Sequence, residues 1–128
     1  MSGILFLCIH NAGRSQMAAG FARELSQGRV NIFSGGSEPA DQVNPVAVEV
    51  MNELGIDISQ YQPQRFASEL LNEVDVVVTM GCGDTCPYIP GKTYVDWPLD
   101  DPKGKPLNEV RRIRDDIKWR VEELLSQL

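Results

Sequence analysis

The sequence predicts a single α/β domain built on a parallel sheet. Short apolar runs alternate with segments of helical period along the chain, the pattern of strands joined by crossover helices. Two of the runs, Ile4-Leu5-Phe6-Leu7 and Val76-Val77-Val78, are continuously apolar rather than alternating, as expected of strands covered on both faces. The 128 residues fit one compact domain with its own core, and no repeat, low-complexity tract or linker divides them. The expected architecture is therefore a four-stranded parallel sheet with helices on both faces.

Gly3 to Ile9 reads as the first strand, short, apolar and bounded by glycine. From Ser15 to about Ser26 the apolar residues Met17, Phe21 and Leu25 recur every fourth position, which predicts a helix that Gly28 stops. Val30 to Phe33 is a second strand ending at Ser34-Gly35-Gly36. Asn44-Pro45 combines a capping side chain with proline at the first helical position, and the helix it opens runs to Leu54 before Gly55. Gly55 to Gln64 shows no period and reads as a loop, and Arg65 to Glu73 as a short helix. Asp75 to Thr79 is the third strand and Thr93 to Val95 the fourth. The last helix spans Leu107 to Leu128, with Val110, Ile113, Ile117, Val121, Leu124 and Leu128 along one face. Arg111, Arg112, Arg114, Asp115, Asp116, Glu122 and Glu123 are expected on its solvated side.

Composition narrows the function. Hydrophobic residues make up 42% and charged residues 23%, ordinary for a globular protein. A net charge of −6 speaks against a nucleic-acid partner and against a basic membrane-binding surface. No apolar run reaches the length of a membrane span, and Met1-Ser2-Gly3 does not open a signal peptide, so a cytoplasmic location is expected. There, three cysteines read as thiols with chemistry to perform rather than as a disulfide framework.

The stretch Cys8-Ile9-His10-Asn11-Ala12-Gly13-Arg14-Ser15 lies where the first strand opens onto the first helix. A tight loop at that point leaves backbone N–H groups without intrahelical partners, and with the positive end of the helix dipole they form a seat for a tetrahedral oxyanion. The same field favours the thiolate form of a cysteine at the loop's start, which makes Cys8 the candidate nucleophile. Arg14 at the loop's end offers a planar fork for two anion oxygens. Asn11 and Gly13 tolerate left-handed backbone, and Ser15 can donate to the thiolate. Substrate binding is thus expected from the loop Ile9, His10, Asn11, Ala12, Gly13, Arg14 and Ser15; no separate role is assigned to the His10 side chain.

Two further loops follow strands three and four, and in a parallel sheet the loops at the carboxyl ends of strands converge. One carries Cys82 and Cys86 between glycines and Pro87. A zinc site would need about four ligands, and the chain supplies neither a second cysteine pair nor more than one histidine, so no metal is expected. Thiol–disulfide exchange needs a second thiol that reaches the first and a third that takes over the bond, and the three cysteines are arranged for such a relay. The other loop, Asp96-Trp97-Pro98-Leu99-Asp100-Asp101-Pro102, can place a carboxyl over the thiolate to protonate a leaving oxygen. Asp101, fixed by Pro102, is the first choice, with Asp96 and Asp100 as alternatives.

Taken together, the Cys8–Ala18 segment, Asn44-Pro45, Thr79-Met80-Gly81-Cys82 with Cys86-Pro87, and Trp97 with Asp100-Asp101-Pro102 resemble the arsenate reductases built on the low-molecular-weight tyrosine phosphatase fold. The likeness runs through essentially the whole chain in order. It implies a sheet of the phosphatase type, Cys8 as nucleophile, Arg14 as oxyanion clamp and Asp101 as acid. Ser15 is implied as donor to the thiolate, and Asn11 as the residue that holds the loop's shape. It further implies that Cys82 attacks Cys8, that Cys86 takes over the disulfide, and that thioredoxin reduces it.

Some positions depart from the family pattern. Phosphatases of this fold usually carry a second cysteine where this chain has Gly13, and a tyrosine after the Asp-Pro where it has Lys103. Both differences weigh against the alternative activity, hydrolysis of phosphomonoesters such as phosphotyrosine through a Cys8 phosphoenzyme. Potassium-binding reductases use a glutamate where this chain has Ala19, and the later loop reads Tyr61-Gln62-Pro63-Gln64, so no metal is carried over. The short interval between Cys82 and Cys86 is closer to relatives that draw electrons from mycothiol and mycoredoxin. The expected partners are arsenate, with phosphate or sulfate as competing oxyanions, and either thioredoxin or a low-molecular-weight thiol. A non-catalytic oxyanion or thiol sensor is disfavoured, because sensing requires no acid.

Overall fold

The computed structural model describes residues 3–66, 69, 72–81 and 91–128. Strands β1 (Gly3–Cys8), β2 (Asn31–Gly36), β3 (Val76–Thr79) and β4 (Thr93–Asp96) form one sheet in the order β2-β1-β3-β4. Every pairing is parallel, so all four carboxyl ends open on the same edge. Helices α1 (Arg14–Ser26), α2 (Pro45–Asn52) and α3 (Leu107–Ser126) complete the named elements.

β2 extends further than its apolar residues foretell. Ser34, Gly35 and Gly36 pair with Phe6, Leu7 and Cys8, so the ladder reaches the start of the loop that follows β1. Glycine is required there by proximity: a Cβ on Gly36 would lie 2.6 Å from the carbonyl oxygen of Ile9 and 3.0 Å from the amide nitrogen of Asn11. Gly36 also forms an isolated parallel bridge with Arg65, which therefore does not begin a helix. Of the helix expected over 65–73, Glu69 and Asn72 adopt single-turn 3-10 geometry; 67, 68, 70 and 71 lie outside the described residues.

The larger core lies on the Ile4, Phe6 and Val78 face of the sheet, where all three named helices pack through Met17, Phe21, Val50, Met51, Ile117 and Val121. The opposite face holds a smaller cluster of Leu5, Leu7, Val74 and Val77, with Phe33, Phe66 and Tyr94 against it. The segment following Arg65 thus supplies part of the cover on the second face. β1 is sandwiched between the two clusters, which explains its unbroken apolar run.

Helix boundaries follow local chemistry. Asn44 caps α2 by accepting the Val46 N–H at 2.9 Å, with Pro45 at the first helical position. α1 ends on Gln27, itself left-handed (φ 52°), one residue before the glycine expected to stop it. Arg114 corrects the expectation of a wholly solvated charged face on α3. It is buried where α2 meets α3, donating to the carbonyl of Val50 at 3.0 Å and to Glu53 at 2.7 Å. A cation there satisfies a carbonyl near the end of α2 and complements the helix dipole. Among the described residues no helix is long and apolar enough to cross a membrane.

Candidate active site

The carboxyl end of β1 runs directly into the loop that precedes α1. Three of the loop's carbonyl oxygens are engaged by neighbouring backbone: Ile9 accepts from Glu38 N–H at 2.8 Å, His10 from Ala40 at 3.0 Å and Ala12 from Asn44 at 2.8 Å. Gly13 caps α1 without any side-chain bond. The N–H groups of the loop and first helical turn are thus left for an anion, in the manner of a backbone nest.

Cys8 stands at the base of this cradle, almost fully buried, with its Sγ 2.9 Å from Ser15 Oγ. Ser15 Oγ is held in turn by Asn11. Asn11 Oδ1 accepts the Gln64 backbone N–H at 2.9 Å, so its Nδ2 faces the other way and donates to Ser15 Oγ at 2.6 Å. The Ser15 hydroxyl, held by Asn11, thus lies within hydrogen-bond reach of the Cys8 sulfur. Asn11 is fully buried and holds a left-handed backbone (φ 50°), the conformation its residue type tolerates best after glycine.

Arg14 is buried, with Nη1 donating to the carbonyl of Leu99 at 3.1 Å and Nη2 lying 3.9 Å from Asp101 Oδ2. Trp97 and Leu99 anchor the loop after β4 in the core, with the Trp97 ring centroid 6.0 Å from that of Phe6. Asp101 Oδ1 accepts the Lys103 N–H at 3.0 Å, which leaves Oδ2 turned toward Arg14. The other two acidic candidates are placed differently. Asp96 accepts the Thr79 hydroxyl at 2.7 Å at the end of the sheet, and Asp100 is exposed.

Cys8, Arg14 and Asp101 line one cleft of about 420 Å³, with Ala40, Gln42 and Lys103 on its rim. That volume exceeds the need of a tetrahedral oxyanion and leaves room beside it for an incoming group. His10 also lines the cleft, its Nδ1 3.0 Å from the Glu38 carbonyl oxygen. Among the described residues the lining contains no Phe, Tyr or Trp. Cys82 and Cys86, assigned from the sequence to the thiol relay, lie outside the described residues.

Sequence reasoning passed over Gln16, Gln62 and Gln64. They come from a helix that otherwise reads as apolar and from a loop without period, yet all three meet Asn11 or its partner. The available signal was Gln16 itself, a polar residue directly before the apolar run Met17-Ala18-Ala19.

Residues 3–128 match the model of a family described as low molecular weight phosphotyrosine protein phosphatase. The chain belongs to that family. Among its relatives is arsenate reductase 2 of Staphylococcus haemolyticus, 42% identical over 128 residues, an alignment covering 97% of this chain and 96% of that protein. The structure of an arsenate reductase in its phosphate-binding state is similar at a TM-score of 0.89 and 36% identity, covering 99% of this chain and 98% of the other. The thioredoxin-dependent arsenate reductase of Corynebacterium glutamicum gives a TM-score of 0.87 at 37% identity, with 99% of this chain and 61% of that one covered.

Proposed function

We propose that this protein reduces arsenate to arsenite with electrons from an external thiol system. The observation that carries the reading is the Cys8 sulfur, hydrogen-bonded to Ser15 at 2.9 Å, in one cleft with Arg14 and Asp101. The relatives that match nearly the full chain are named for the same activity.

Arsenate takes the seat formed by residues 9–15, its oxygens held by loop N–H groups and the Arg14 fork. The Cys8 thiolate forms a bond to arsenic, and one hydroxyl of the arsenate leaves as water with a proton from Asp101. In the relay branch the Cys82 thiolate then attacks the Cys8 sulfur. A sulfur–sulfur bond forms, the sulfur–arsenic bond breaks, and its electron pair stays on arsenic, which departs as arsenite. Cys86 next displaces Cys8 from Cys82, and thioredoxin reduces the resulting Cys82–Cys86 disulfide. In the other branch a small thiol such as mycothiol takes the arsenic from Cys8, and a further thiol, of the mycoredoxin kind, attacks that adduct's sulfur and completes the reduction. Both branches place the protein in a thiol-rich compartment, the cytoplasm, and both serve arsenic detoxification. Phosphate and sulfate share the size and charge of arsenate and compete for the seat.

Hydrolysis of phosphotyrosine uses the same cradle, with water in place of the second thiol. The relatives that match nearly the full chain are named for arsenate reduction, which weighs against hydrolysis as the principal activity. The test offers purified protein arsenate with thioredoxin, or with mycothiol and mycoredoxin, and in parallel a phosphotyrosine peptide. Arsenite formation coupled to thiol oxidation supports the reading and identifies the reductant. Free phosphate from the peptide, with no arsenite from either reductant, overturns it.

A further inference from the structure

We infer that Gln16 is a positioning residue for the Cys8 nucleophile, acting through Asn11 and Ser15; the inference rests on the reading of Cys8 as the attacking thiolate. Gln16 sits in the first turn of α1, is only 1% exposed and is followed by three fully buried apolar residues, Met17, Ala18 and Ala19. Its side chain does not reach the cleft. Instead Nε2 donates to the backbone carbonyl of Asn11 at 3.1 Å, to Asn11 Oδ1 at 3.2 Å and to the carbonyl of Gln62 at 3.4 Å.

All three neighbours of Nε2 are acceptors, so only the amino side of the amide can face them. Oε1, turned the opposite way, is buried and accepts no hydrogen bond from the described residues. A leucine or methionine would fill a similar space without enclosing an amide, so packing alone does not account for glutamine here. What the amide supplies is a hold on Asn11 at two points, main chain and side chain. Asn11 is the left-handed residue of the loop, and its Nδ2 donates to the Ser15 hydroxyl, which lies 2.9 Å from Cys8 Sγ. Gln62 ties the same amide to the segment whose Gln64 N–H fixes the other side of Asn11. Gln16 therefore couples the loop after α2 to the hydrogen bond on the nucleophile, through two intermediaries and without touching substrate.

The experiment follows the rate of iodoacetamide alkylation against pH, read by mass spectrometry on the peptide that contains Cys8. In Gln16→Leu the pH at which Cys8 becomes reactive should rise. Alkylation near neutrality should slow about tenfold, while the rate on the alkaline plateau stays that of the wild type. Gln16→Glu keeps the side-chain size but presents acceptors to acceptors, and should show the same displacement. It serves as the second folded variant should Gln16→Leu lose its fold. Binding of inorganic phosphate should weaken less than alkylation near neutrality slows, since Gln16 touches neither Arg14 nor the anion. A wild-type pH profile in either folded variant overturns the inference, leaving Gln16 as packing. If wild-type Cys8 itself alkylates as an ordinary exposed thiol would, the nucleophile reading falls, and this inference with it.

Discussion

Gly13 and Pro102 touch across the cleft so closely that a Cβ at position 13 would fall 2.7 Å from Pro102 Cγ. The ring opposite leaves no room for a side chain at this position. Pro102 is buried and directly follows Asp101, so the contact sets how the carboxylate sits over Arg14. Gly13→Ala should displace the Asp101 loop and slow arsenate reduction about tenfold, roughly 1.4 kcal/mol in the barrier. Because the effect runs through Asp101, the same change should cost little in an Asp101→Asn background. A double-mutant cycle on turnover checks this, and independent, additive losses would show that Gly13 acts elsewhere.

Asp101→Asn removes the proton donor while keeping the side chain's shape. Formation of the first Cys8 adduct should slow by about a hundred- to ten-thousand-fold, the range of general-acid catalysis. Phosphate binding should hold or improve, since a negative charge beside the anion is gone. Asp96→Asn, in contrast, should leave adduct formation near wild type, because Asp96 is occupied with the Thr79 hydroxyl. Quenched-flow measurement of arsenic bound to protein separates the two.

Arg14→Lys keeps the charge and loses the fork. The guanidinium donates to Leu99 through Nη1 while Nη2 faces Asp101, and an ammonium cannot span both and clamp two anion oxygens in a plane. Turnover should fall by about two orders of magnitude or more, as when an oxyanion donor is removed. Steady-state arsenite production reads the loss.

Acid stability should depend on a cluster far from the cleft. The Arg111 guanidinium, hydrogen-bonded to Glu53 at 2.7 Å, and then Arg114 hold the Glu53 carboxyl below its usual range against a smaller opposing effect of burial. A carboxyl depressed in the folded state contributes stability above its unfolded value, and that contribution is lost as pH falls through the folded value. The loss therefore begins at about pH 4.5, the ordinary value, and deepens below it. Glu53→Gln should lower the urea midpoint at pH 7 and flatten its decline between neutrality and acid. A variant whose midpoint falls in parallel with wild type would contradict the assignment.

What could be read from the sequence, and what could not, divides by the range of the interaction. β1, β3 and α1 were visible because apolar periodicity reports burial directly, and the Cys8–Arg14 loop because its chemistry is contiguous. β2 was read short at Phe33, since its last residues are held by backbone ladder and close approach, for which glycine gives only an indirect signal. The helix expected from Arg65 begins with a bridge to Gly36, a pairing that no local pattern encodes. The spacing of Arg114 suits the solvated face of α3, whereas its burial depends on where α2 ends. Gln16 and Gln64 reach Asn11 across 5 and 53 residues, and only the folded chain brings the second of these to the loop.

Cys8 alone is expected to attack arsenic, with the other thiols acting after it. Mass spectrometry of the protein after a single exposure to arsenate, without reductant, tests this order most directly. In the relay branch wild type should release one arsenite per chain and lose two hydrogens to a disulfide. Cys86→Ser should release the same arsenite and stall as a Cys8–Cys82 disulfide. Cys82→Ser should stall with arsenic still on Cys8 and release it only to an added thiol. In the small-thiol branch wild type forms no internal disulfide, and an added thiol restores turnover even to the Cys82→Ser/Cys86→Ser double variant. In both branches Cys8→Ser should carry no arsenic and release no arsenite; arsenite from that variant, in the presence of the same thiols, would contradict the account.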